Sequence, residues 1–204
     1  MKNSHFFSLM LTPFMLLLAS GCATRSAPQT LYDLGPLPAP LGAPASPALP
    51  PLALAEPVGP AFLDSPMMFY RLTYANDQQP RAFAESRWSM APAQLLGQRL
   101  KARFGQVGSG MISAGDGATN VPVVRVETDD FTQVFDTPTH SAGLIRLRVA
   151  VFNGRILLAQ KSFVQERASS TADAAGGARA LADASDTLIT DMIDWLGTLT
   201  LTRR

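Results

Sequence analysis

The chain has 204 residues, of which 47% are hydrophobic and 16% charged, and 17 basic against 16 acidic side chains leave a formal charge of +1. That balance excludes a binder of nucleic acid, which needs a concentrated basic footprint, and a disordered chain, which lacks this much apolar surface to bury. A single cysteine excludes any intramolecular disulfide.

Residues 1–21 read as a secretory signal. Lys2 is a short positive start, Phe6 to Leu18 form an apolar run, and Ala19, Ser20 and Gly21 are small. The run falls below the roughly 18–20 apolar residues that a permanent membrane span needs. Cys22 follows directly, an arrangement that resembles the bacterial lipobox, with Ala19 where leucine is usual and Leu18 one place earlier. A lipobox implies that Cys22 is acylated, by palmitate among other chains, and becomes the mature N-terminus. Each buried CH₂ would contribute about 0.8 kcal/mol to the membrane anchor.

Residues 23–51 hold eight prolines in 29 positions and read as an extended linker. At ~3.1 Å per residue in polyproline II such a stretch reaches up to ~90 Å. Its interruption LYDL, residues 31–34, has the pattern of a short strand that would join the domain and shorten the free tether.

The folded part starts near Leu52. LALAEPV (52–58) and MFYRLTYA (68–75) predict strands, GPAFLDSP between them predicts a loop, and RAFAESRW (81–88) predicts a further strand. The period then changes to about 3.6. Pro92 suits the first turn of a helix of about thirteen residues, Leu96, Leu100 and Phe104 share its apolar face, and Gly105 can take the left-handed position after its end. Arg99, Lys101 and Arg103 sit mostly off that stripe, where they suit the helix dipole.

Residues 105–120 contain five glycines but no lysine, and they follow a helix where a phosphate cradle must precede one. A loop with a weak edge strand at 111–113 is the better account. VPVVRVETDDFTQVF (121–135) and GLIRLRVAVF (143–152) alternate as strands. Asn153-Gly154 predicts a type I′ turn that places Val151 opposite Ile156 and Val149 opposite Leu158. The last helix opens at Ser170-Thr171, with Asp173 in its first turn and a stripe of Leu181, Ser185, Leu188, Ile189, Met192 and Leu196. Gly176-Gly177 either precede this helix or let it approach the sheet closely.

These elements predict an α+β fold: a mainly antiparallel sheet with two principal helices packed on one face. The chain divides into a signal at 1–21, a lipidated cysteine with proline-rich linker at 22–51, and one domain at 52–200.

Signs of chemistry are sparse. His140 is the only histidine after the signal, lies in the predicted loop DTPTHSAG, and has no GxSxG elbow to serve. Asp129 and Asp130 are neighbours on a strand, so their carboxylates point to opposite faces unless a bulge intervenes. The reading is therefore no enzyme, no cofactor, no metal and no catalytic residue. Met67, Met68, Tyr70 and Trp88 are the candidate contacts for a partner or lipid, because methionine and aromatics adapt to varied surfaces. The same residues suit a core, and the core is the favoured reading because nothing in the sequence shows them exposed.

FLDSPMMFYRLTYAN, SRWSMAPAQLLGQRLKARF, FTQVFDTPTHSAGLIRLRVAVFNGRILLAQKSF and TADAAGGARALADASDTL together resemble the ABC-type transport auxiliary lipoprotein family over residues 31–196. Phe62-Leu63-Asp64-Ser65-Pro66, Tyr70-Arg71 and Arg87-Trp88 carry the likeness. The resemblance implies a non-enzymatic lipoprotein held by its lipid anchor on the periplasmic face of the outer membrane. Its partners would be an MCE-domain protein and an ABC transporter permease and ATPase that move phospholipid or other hydrophobic cargo. A homo-oligomeric ring is also open to a member of this family. The alternative is a periplasmic carrier that holds lipid in a pocket of its own.

Overall fold

A computed structural model describes residues 28–39, 49–108 and 110–201. The signal segment and Cys22 lie outside the described residues. Eight strands, β1 (Thr30–Tyr32), β2 (Leu52–Leu54), β3 (Met67–Leu72), β4 (Asn76–Trp88), β5 (Met111–Ser113), β6 (Val123–Thr137), β7 (His140–Asn153) and β8 (Ile156–Ala168), join in one curled sheet. Among the described residues two α-helices accompany it, α1 (Pro92–Gln106) and α2 (Ala174–Gly197).

The expected mainly antiparallel sheet is wrong: the sheet is mixed, with parallel and antiparallel ladders interleaved. Pairs β3–β4, β6–β7 and β7–β8 are antiparallel, whereas β1–β4, β2–β5, β2–β6 and β3–β6 are parallel. The cause lies in β6. One of its edges carries β7 along its whole length. The other is shared by chain that precedes it by about seventy residues, with Ala53 opposite Val123, Val58 bridging to Glu127, and Tyr70 opposite Gln133. Parallel pairing requires a long crossover, and here β4, α1 and β5 supply it between β3 and β6. Sequence neighbours pair in only about two-thirds of cases, and a meander drawn from local pattern assumed they always do.

Local periodicity served the helices better. Leu96, Leu100 and Phe104 of α1 and all six stripe residues of α2 are buried. The end of α1 differs from expectation: Gly105 stays helical, Val107 caps the helix through its N–H to Arg103 O, and the positive φ falls at Gly108.

The β7–β8 hairpin keeps its place but not its register. Asn153 pairs with Ile156, which makes Gly154-Arg155 the turn centre, with positive φ at Gly154 and not at Asn153. That sign pattern matches a type II′ turn. A bulge beside Phe152 then sets Val151 opposite Ala159 and Val149 opposite Lys161. Val151 and Val149 remain in the core, while Ile156 and Leu157 are left about half exposed on the edge strand.

At α2 the N-cap is Asp173, three residues beyond the predicted start, and its carboxylate accepts from the Gly176 N–H at 2.7 Å. That bond first, and the Thr171 hydroxyl second, hold the Asp173 carboxyl below its usual value of 3.8. The glycine pair lies inside the helix, so close approach is the reason for it: a Cβ on Gly177 would overlap the buried amide of Gln133 on β6. Gly143 on β7 repeats the device from the sheet side. A Cβ there would lie 2.7 Å from Leu181 N and 2.8 Å from Ala180 C, both backbone atoms.

Backbone cannot yield as a side chain can, so Gly143→Ala is expected to cost about 1–3 kcal/mol of stability. Gly115→Ala, with open space around it, should stay within about 0.5 kcal/mol. Urea midpoints at unchanged slope test both. Asp173→Ala should cost about 1 kcal/mol near neutral pH. Because the folded pKa is lowered, this contribution is complete above the unfolded value near 3.8 and is lost as pH falls through the folded one. The two proteins should therefore converge in stability in strong acid.

Candidate interaction surface and the clamp that sets it

Among the described residues Arg99 is the one charged side chain that is buried, at 6% exposure. It sits on α1 one residue before Leu100, turned toward α2. Its Nε donates to Asp186 Oδ1 at 2.9 Å and its Nη2 to Asp186 Oδ2 at 2.7 Å, a two-pronged pair that fits the planar guanidinium. Arg103, one turn on, donates from Nε to the same Oδ1 at 3.2 Å.

The remaining donors reach the segment before the domain. Arg99 Nη1 donates to Gly35 O at 2.7 Å, Arg103 Nη1 to Pro38 O at 3.3 Å, and Gln106 Nε2 to the same Pro38 oxygen at 3.3 Å. Proline offers a carbonyl and no N–H, whereas arginine offers donors and no acceptor, so the two chemistries complement each other. The prolines also arrive with φ already fixed, which lowers the entropy lost on docking. Just upstream, β1 pairs with β4, Ser89 N donates to Tyr32 O at 2.7 Å, and Leu34 is buried. Residues 30–38 thus lie on the folded body.

The four candidate contact residues separate. Met68 and Trp88 are fully buried, and the Trp88 ring meets Phe131 edge-on at 5.4 Å. Met67, next in line but on the opposite face, is 40% exposed. Tyr70 is half-buried between Phe83 at 4.6 Å and Phe135 at 5.7 Å. Alternation along β3 produces this split.

Two open grooves flank the clamp. One of about 340 Å³ runs between β1 and the first half of α2, lined by Leu31, Tyr32, Leu34, Ala178 and Ala182 with Arg179 beside them. The other, about 490 Å³, lies between α1 and residues 54–57, with Met90, Gln94 and Lys101 on its wall.

The groups considered for chemistry stay apart. A bulge does fall at Asp129, yet Asp129 turns to Arg148 at 3.9 Å while Asp130 faces Arg71 at 4.0 Å and accepts from Thr132 Oγ1 at 2.7 Å. His140 starts β7 instead of lying in a loop, and its Nδ1 is 2.7 Å from Asp136 Oδ1 on the exposed hairpin end. The bond to His140 holds the Asp136 carboxyl below its usual value. Among the described residues no group of three or more His, Cys, Asp or Glu could hold a metal ion, and no helix is long and apolar enough to cross a membrane. Arg99 is the residue that sequence reasoning placed wrongly; its spacing from Leu96 and Leu100 was the available signal, since it borders the apolar stripe.

The family model described as "ABC-type transport auxiliary lipoprotein component" matches residues 32–193. Among solved structures, a protein of Xanthomonas campestris is 20% identical, with 81% of this chain and 94% of that one covered at a TM-score of 0.69. A second, titled only as an uncharacterized protein, is 16% identical, with 83% and 99% covered at a TM-score of 0.65. At these identities the likeness is one of fold. No curated protein matches the sequence.

Removing Asp186 would strand a buried guanidinium, so Asp186→Ala is expected to lose about 3–5 kcal/mol. The apolar pair Arg99→Met with Asp186→Leu should recover most of that loss, since well-packed apolar replacements of a buried ion pair are often neutral. A double-mutant cycle in urea measures the coupling.

Proposed function

The chain belongs to the family of ABC-type transport auxiliary lipoprotein components, and on that premise we propose that it is a non-enzymatic accessory subunit of an MCE-type ABC transport system. In this reading Cys22 carries the acyl chains and the protein faces the periplasm from the outer membrane. The folded domain meets an MCE-domain protein, whose permease and ATPase drive the transfer of phospholipid or other hydrophobic cargo.

The family match over nearly the whole described chain carries the proposal. The scattered placement of His140, Asp129 and Asp130 supports a role without catalysis, because acid–base work needs groups within hydrogen-bond reach of one reacting atom. Both grooves are open, and the core between sheet and helices is filled by Trp88, Phe104, Phe131 and the α2 stripe. That packing favours docking over carriage of lipid inside the domain.

Cys22→Ala is expected to move the protein from the membrane fraction to the soluble periplasmic fraction. Retention of that variant on the membrane would refute the anchor. Native mass spectrometry of the delipidated domain is expected to show no bound lipid; phospholipid at near one-to-one would replace the docking role with that of a carrier. Co-purification of the wild-type lipoprotein with an MCE-domain protein tests the transport assignment, and an ABC system without such a subunit in its place would overturn it.

A further inference from the structure

We infer that the β1 edge of the domain rests on the lipid surface, with Leu31 and the groove beside it as the contact; this rests on Cys22 carrying the anchor. Three observations lead there. The first is how residues 30–38 are held. β1 is paired to β4 from Thr30 onward, and the carbonyls of Gly35 and Pro38 are held by Arg99, Arg103 and Gln106. The eight residue steps from Cys22 to Thr30 span at most about 29 Å when fully extended. The ~90 Å available to an undocked proline-rich linker is therefore withdrawn, and the start of β1 stays within reach of the bilayer interface.

The second is the chemistry at that point. Leu31 is 66% exposed, the most exposed of the large apolar side chains among the described residues. It borders the groove of about 340 Å³ whose other wall is the alanine side of α2, and Arg179 beside it is exposed. Asp33 lines the same groove, so the charges there offset, and it is the exposed apolar side chain that suits the acyl-chain boundary. The third is the position of β1 in the sheet. It is an edge strand, and the order β1–β4–β3–β6–β7–β8 sets β8 at the other end of that path, five strands away in sheet order. Val164, exposed on β8, marks that other edge.

The test uses the full lipidated chain in vesicles of phosphatidylethanolamine with a minor share of phosphatidylglycerol. Acylated Cys22 has no free thiol, so Leu31→Cys and Val164→Cys each offer one reactive sulfur for a nitrobenzoxadiazole label. Leu31 and Val164 are both exposed, which leaves folding unaffected. The label at residue 31 is expected to brighten and shift to the blue on vesicles, while that at residue 164 keeps its emission in water. A Gly/Ser insertion of about twenty residues between Ala27 and Pro28 should weaken the shift at residue 31 by lowering its effective concentration at the surface. A protein that floats with the vesicles but shows no shift at residue 31, or an equal shift at residue 164, would overturn the orientation and leave the anchor standing. A protein that does not float would overturn both.

Discussion

The Arg99–Asp186 pair is the constraint on which the rest of the molecule depends. A guanidinium at 6% exposure is tolerated only because a carboxylate takes two of its donors and backbone carbonyls take others. Satisfying it fixes three pieces of chain at once: α1 beside α2, and the proline-rich segment against both. Leu34 is sealed under that segment, and β1 is delivered to the edge of β4. Without the clamp the carbonyls of Gly35 and Pro38 would lose the donors that hold this segment on the domain.

Beneath the helices, β6 organises the sheet by offering a different partner to each edge. Ala53 N donates to Pro122 O just before β6, and Ala55 N and Val58 N donate to the β6 carbonyls of Val124 and Val126, which carries the chain toward β3. Close approach of α2 then depends on missing side chains. Gly143 and Gly177 bring helix and sheet backbones near enough that the Gln133 amide, donating to Ser141 Oγ at 2.8 Å, is wholly enclosed. Its Nε2 is matched within the sheet while its Oε1 is buried without a partner, and the lack of a Cβ at Gly177 is what leaves room for it under α2.

A domain built this way keeps its polar groups dispersed, which accords with an auxiliary component of a transport system. Its ion pairs on the helix-free face, Arg148 with Glu127 and Arg71 with Asp130, run across adjacent strands and tie the sheet instead of converging on a ligand. The proposed attachment at Cys22 would give orientation as well as location, because a short tether restricts which edge can meet a membrane.

Much of this was legible in the residues. Period 3.6 located both helices and their buried faces, alternation located β6 and β7, and Asn153-Gly154 marked the hairpin within one residue, because each signal is written in positions a few residues apart. Other features were decided only by the folded chain. Parallel pairing of β2 and β3 with β6 joins segments about seventy residues apart, and no local pattern encodes it. The β8 register depended on a bulge beside Phe152. Met67 and Met68 look alike in sequence, yet strand alternation buries one and exposes the other. Arg99 looked like a solvated charge until Asp186 and two carbonyls from distant chain surrounded it. Sequence determines what each segment can bury; which segments meet, and therefore which charges are matched, is a property of the whole packing.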